Sequence, residues 1–181
     1  MIKETRRKVA AVVAALGIGI GGAVWATSAA SAAPAATPEC TSGQLAVWVS
    51  PDLGNGAAGS VGLPLEFTNV SHHACFLIGW PGVSALDSKG RQLGRPAARD
   101  SSVRRAAVVV APGATASALL KWTDVLNFPP AACRPVRAAT LRVFAPDQFA
   151  SRSAYFSLLA CSKSGPIYLT ISRIRAGLLV P

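Results

Sequence analysis

What this chain lacks narrows its chemistry first. Charged residues make up 14% of its 181 positions, against about 25% in an ordinary soluble domain, and acids are the scarcer sign. Glu39, Asp52, Glu66, Asp87, Asp100, Asp124 and Asp147 are the acids beyond residue 32, and they are scattered, several at expected turns. Glycoside hydrolysis needs two carboxylates facing each other across a cleft, and this spacing offers no such pair. The two histidines, His72 and His73, are adjacent. On a strand, neighbours point to opposite faces, so they do not form one bidentate metal site. Between Asn69-Val70-Ser71 and Ala74 they read as a solvated loop. No Cys-x-x-Cys spacing suits zinc, and the lack of methionine beyond Met1 disfavours a thioether copper carrier. There is no Gly-x-Ser-x-Gly elbow, so a Ser-His-Asp hydrolase has no support. Gly54-Asn55-Gly56 reads as a turn followed by a strand rather than a helix, so it is no phosphate loop. The expectation is a protein that is not an enzyme and has no cofactor or resident metal.

A single long apolar run is present, and it is N-terminal. Lys3, Arg6, Arg7 and Lys8 precede an apolar stretch from Val9 to Val24, and Ala30-Ser31-Ala32 fits a small-x-small cleavage site. Residues 1–32 therefore read as an export signal. The apolar stretch, interrupted by Gly17, Gly19, Gly21 and Gly22, is shorter than the roughly 20 residues of a spanning helix. No stable membrane span is expected after cleavage. Thr5-Arg6-Arg7 raises the twin-arginine route, but Lys8-Val9-Ala10 fits its pattern poorly, so the general route is favoured. Cys40 follows Thr37-Pro38-Glu39, which is no lipidation box. Removing 1–32 takes away four bases and one acid and lowers the net charge from +10 to +7. Residues 33–39 (APAATPE) read as a short extended linker.

Four cysteines remain: Cys40, Cys75, Cys133 and Cys161. An even count in an exported chain reads as two disulfides. Three pairings exist, and Cys40–Cys75 with Cys133–Cys161 is favoured because each closes a loop of moderate size, worth roughly 3–4 kcal/mol in the chain-entropy model.

The remaining residues alternate strand and turn. In 44–50, Leu45, Val47 and Val49 alternate with Gln44, Ala46 and Trp48; in 61–69, Leu63, Leu65 and Phe67 alternate with Pro64, Glu66 and Thr68. That period of two marks half-buried strands, and Pro64, lacking a donor, places its stretch at a sheet edge or bulge. Further strands are expected at 75–78, 83–87, 106–111, 115–123, 139–144, 154–159 and 167–171, with a hairpin tip at Ser88-Lys89-Gly90. No segment carries a capped helical stripe. Residues 40–181 are thus expected to be one domain, an all-β antiparallel immunoglobulin-like β-sandwich.

Basic residues supply the remaining signal. Arg91, Arg95, Arg99, Arg104 and Arg105 fall within fifteen residues opposed only by Asp100; Arg134, Arg137 and Arg142 form a second group, and Arg173 with Arg175 a third. Arginine outnumbers lysine thirteen to five, which suits bidentate phosphate or carboxylate contacts, although solubility alone explains a basic surface. Export and the absence of basic–aromatic interleaving argue against nucleic acid. Trp80-Pro81-Gly82 reads as a turn: Pro81 fixes φ and Gly82 is free to take a positive φ. Trp80 covers a sheet edge with its N–H bonded, or offers a platform to a sugar ring.

These residues also carry a family resemblance. Ala57-Ala58-Gly59, Leu65-Glu66-Phe67-Thr68-Asn69, Cys75-Phe76-Leu77-Ile78-Gly79-Trp80-Pro81-Gly82-Val83, Leu93-Gly94, Pro112-Gly113-Ala114-Thr115-Ala116 and Cys133 resemble the actinobacterial secreted domain-of-unknown-function family 4232 over residues 40–180. Trp80 stands where the family more often has Tyr. The resemblance implies a secreted or envelope-attached β-sandwich with no assigned catalytic residues. The expectation is a monomeric secreted binding module for an anionic cell-wall polymer or an envelope protein, with Arg91–Arg105 as its surface. The alternative is a secreted inhibitor using Gly79–Val83 as its loop, or a small-molecule carrier with an apolar cavity.

Overall fold

A computed structural model describes residues 36–51 and 55–179. The expected export signal and the first residues of the linker lie outside the described residues. The end of that linker is already part of the fold: the Phe76 N–H donates to the Pro38 carbonyl, and the Cys40 N–H to the Phe76 carbonyl.

The domain is an all-β, sandwich-like assembly of antiparallel sheets. The largest sheet runs in the order β1 (Leu45–Val49), β3 (Ser60–Asn69), β9 (Thr115–Thr123), β14 (Leu169–Ile171), β7 (Ala98–Arg99), with β2 (Asn55–Ala57) on β3 and β15 (Arg175–Ala176) on β9. A four-stranded sheet runs β12 (Ser151–Ala154), β11 (Thr140–Phe144), β5 (Gly82–Leu86), β6 (Gln92–Leu93). Two ribbons, β4 (Cys75–Ile78) with β8 (Ala107–Val110) and β10 (Pro135–Ala138) with β13 (Leu158–Cys161), complete it. The pairing of β7 with β14 is parallel. Cys40 is bonded to Cys75 and Cys133 to Cys161.

The register explains the core. Leu65 lies opposite Ala118 and Val49, Phe67 opposite Ala116 and Val47, and Leu63 opposite Leu120. Leu65 and Phe67 of β3 thus meet alanines on β9, while Leu63 meets Leu120 at the other end of the row. The inner face of the four-stranded sheet adds Val83, Ala85, Leu141 and Val143, all buried.

Several expectations are corrected. Pro64 sits in a central strand, between β1 and β9, and not at an edge. Its carbonyl accepts from the Ser50 N–H, so its missing donor faces the step where β2 pairing gives way to β1 pairing. The ladder to β9 therefore loses nothing. The turn expected at Gly54-Asn55-Gly56 lies later: Asn55 and Gly56 belong to β2, and Gly59, at φ +75°, turns the chain into β3. The strand expected over 154–159 is two strands, β12 ending at Ala154 and β13 starting at Leu158. Gly94 is a required glycine. Its φ is +63°, and a Cβ there would lie 2.8 Å from the Cys161 carbonyl oxygen and 2.9 Å from the Tyr168 ring. Tyr168 is buried and its hydroxyl donates to the Leu93 carbonyl at 2.8 Å.

Candidate functional site

The turn between β4 and β5 presents Trp80. The positive φ falls at Gly79 (+105°), not at Gly82, which is already the first residue of β5. Pro81, with its fixed φ, leads directly into the strand, and the backbone reverses two residues earlier, at Gly79. The Ile174 N–H donates to the Gly79 carbonyl at 2.9 Å and pins that reversal. The Trp80 indole is half-buried, and its N–H donates to the Asp100 carbonyl at 2.7 Å. That bond ties the segment after β7 to the turn. The Asp100 carboxylate is held below its usual range by hydrogen bonds from Ser102, with the Arg175 charge adding to the effect.

Trp80 divides two hollows. One, of about 450 Å³, is lined by Ile78, Trp80, Arg104 and Arg105. The other, of about 330 Å³, is lined by Trp80 and Gly82 with Arg99, Phe144, Asp147, Gln148 and Phe149 among its walls. Arg99, Arg104 and Arg105 are all exposed. Among the described residues the one ion pair is Arg91–Asp87, so no carboxylate within 4 Å neutralises these three. Phe149 follows Asp147, a non-glycine at φ +55°, and is 98% exposed. Its ring therefore stands in solvent at the rim of the second hollow.

The five arginines expected to form one surface do not line one hollow. Arg91 Nε sits 2.8 Å from Asp87 Oδ2; hydrogen bonds, led by the Arg91 backbone N–H, hold the Asp87 carboxyl below its ordinary range. Arg95 Nε donates to the Ser164 carbonyl at 3.0 Å. The reason is topological. β6 belongs to the four-stranded sheet and β7 to the large one, so the chain changes sheet between Arg91 and Arg99. Only Arg99, Arg104 and Arg105 reach Trp80. Phe144 and Phe149 were not candidates in the sequence; an aromatic residue inside the turn-forming stretch Pro146-Asp147-Gln148-Phe149 is the signal that marks the second.

The other candidates disperse. His72 and His73 are exposed in the turn after β3, and among the described residues no three His, Cys, Asp or Glu side chains gather as a metal set. No helix among the described residues is long and apolar enough to cross a membrane. The Gly79–Val83 loop does not protrude: Gly79, Pro81 and Val83 are buried. A separate hollow of about 390 Å³ is lined by Val61, Trp122, Leu126 and Leu159 with Gly56, Gly59, Ser60 and Asp124. There the Trp122 N–H donates to the Leu159 carbonyl at 2.9 Å, and the Asp124 carboxylate accepts from the Leu126 N–H.

Residues 40–172 match the family described as a domain of unknown function (DUF4232). No curated protein and no solved structure matches the chain.

Proposed function

The chain belongs to the DUF4232 family, and from that starting point we propose that it is a secreted, non-enzymatic binding module that holds an anionic cell-wall polymer at the Trp80 hollows. The observation that carries the reading is the convergence of Arg99, Arg104 and Arg105, all unpaired, on the half-buried Trp80 indole beside the exposed Phe149 ring. Guanidinium groups bind phosphate and carboxylate bidentately. Aromatic faces supply flat apolar contact for a sugar ring. A surface with both suits a ligand that is at once saccharide and acid. Two disulfides fit an oxidising compartment outside the cytosol, in keeping with the N-terminal signal. The module is proposed to act as a monomer.

Co-sedimentation with washed actinobacterial cell wall across a salt series tests this. Exposed ion contacts are screened within a Debye length of about 8–10 Å, so binding should fade as salt rises. It should also fall when the wall's anionic polymers are stripped. The triple variant W80A/R104Q/R105Q should stay in the supernatant at low salt. Wild-type protein that fails to sediment with intact wall at low salt would overturn the reading.

A second reading, a small-molecule carrier, is supported by the mostly apolar hollow at Trp122, since pockets for small apolar ligands have this composition. The inhibitor reading loses its loop, because Gly79–Val83 lies against the body.

A further inference from the structure

The Trp80 hollows are one end of a longer surface. β5 begins at Gly82, which lines the hollow beside Phe144, and ends at Leu86; Asp87, the next residue, lines another hollow. β11 runs back beside it, from Ala139 next to that second hollow to Phe144 next to Trp80. Five residue steps separate Gly82 from Asp87, about 17 Å of strand.

The far hollow, of about 490 Å³, is basic. Lys89, Arg91 and Arg137 line it with the hydroxyls of Ser88 and Ser157 and the apolar side chains of Val136, Ala138 and Ala139. Asp87 neutralises Arg91, which leaves Lys89 and Arg137 uncompensated. Arg137 Nη1 donates to Ser157 Oγ at 3.3 Å, and so points into the hollow's wall rather than away from it.

Arg142 stands between the two ends. It pairs with Ser84 of β5 and Ser153 of β12, on the outer face of the sheet that also carries Phe144. Its Nη2 donates to Gln92 Oε1 at 2.7 Å, and its guanidinium carbon lies 5.9 Å from the Phe144 ring centre. Its Nε is shielded from solvent with no hydrogen-bond partner. The guanidinium is thus held between an amide and a ring, with no carboxylate within 4 Å of it among the described residues.

From these placements we infer that the ligand is a linear polyanion, a phosphodiester-linked polyol chain, laid along β5 and β11 from the Trp80 hollows over Arg142 to the hollow of Lys89 and Arg137. This rests on the anionic-polymer reading above and extends it. The aromatic rings crowd one end, where a saccharide unit docks. From Arg142 onward the face offers cations, an amide and hydroxyls beside the aliphatic Val136, Ala138 and Ala139, and no aromatic ring lines the far hollow, which suits phosphates joined by a flexible aliphatic chain. Anchoring at both ends makes the second contact intramolecular, and such linkage typically raises avidity by about 10²–10⁴ when the spacing fits.

The test uses full-length mature protein and two probes, a long poly(glycerol phosphate) chain and its glycerol phosphate dimer, by calorimetry at low salt. Wild type should bind the long chain at least about tenfold more tightly per chain than the dimer. The variant K89Q/R137Q, two exposed positions, should lose about tenfold in affinity for the long chain and nothing for the dimer. W80A/R104Q/R105Q should weaken both. Long-chain binding unchanged in K89Q/R137Q but lost in W80A/R104Q/R105Q overturns the extended track and leaves the Trp80 reading standing. Wild type that binds neither probe, yet sediments with wall in a salt-sensitive way, overturns the phosphodiester assignment alone. Wild type that neither binds nor sediments overturns both.

Discussion

Two tryptophans line hollows on this domain, and they are built alike up to the indole N–H. Trp80 donates it to the Asp100 carbonyl and Trp122 to the Leu159 carbonyl. Beyond that bond they part. Trp80 is surrounded by Arg99, Arg104 and Arg105, whereas Trp122 is surrounded by Val61, Leu126 and Leu159. Trp122 also packs on the core, opposite Val61 and Leu169 in the central sheet. The lesson is that a bonded indole in a hollow says little about a ligand. The charge on its neighbours, and whether the core needs the ring, separate a binding aromatic from a structural one.

The largest test of the contrast removes a disulfide. Cys133–Cys161 closes the β10–β13 ribbon that holds Leu159, while Cys40–Cys75 staples the N-terminal segment to β4. C133A/C161A should cost roughly 3–4 kcal/mol in a denaturant melt. It should also perturb Trp122 fluorescence more than Trp80 fluorescence, read in W48F/W80F and W48F/W122F backgrounds so that Trp48 does not contribute. Next in size is truncation of the rings themselves. Trp122→Ala should destabilise by about 2–3 kcal/mol, below the range for a fully buried ring because Trp122 is only partly covered. Trp80→Ala should cost about 1 kcal/mol, near the worth of its one hydrogen bond, while abolishing wall binding. Equal losses of stability in the two variants would erase the distinction.

Charge removal should move stability least. R104Q/R105Q should leave the melt within about 0.5 kcal/mol, since exposed unpaired cations hold nothing together, while cutting wall sedimentation at low salt. A last measurement lies outside both hollows and calibrates them. Glu66 is fully buried on β3, with Oε1 3.3 Å from Ser50 Oγ and Oε2 unpartnered. Burial raises its carboxyl above the ordinary 4.5. The folded state therefore keeps this proton longer than the unfolded chain. Stability from Glu66 is fully present below about pH 4.5 and declines as pH rises through the folded value. Denaturant midpoints against pH should show that decline, and E66Q should flatten it.

Local signals carried much of the fold. The alternations over 45–49, 60–69 and 115–123 are long enough for a period of two to show, and they are the three strands that build the central core. β6, β7 and β15 have two residues each, too few for any period, and they exist because a longer neighbour pairs with them. Pro64 misled for a related reason: its tolerance depends on where β2 stops and β1 starts, a fact of pairing and not of sequence. The site was legible as residue types. Trp80, Arg99, Arg104 and Arg105 stand out by chemistry, but Arg91 and Arg95 look equivalent to them until the chain is seen to change sheets. Phe144 and Arg142 join them only through the register of β11 on β5, across more than fifty residues of sequence.

The two disulfides close loops that neither nest nor overlap: 40 to 75, then 133 to 161. A chain that emerges N-terminus first therefore exposes Cys75 while Cys40 is its sole available mate. Cys133 comes after both partners of the first bridge, and its own mate Cys161 follows 28 residues later. Each native bridge therefore joins cysteines that are consecutive in the chain, and neither has to reach past a third cysteine to find its mate.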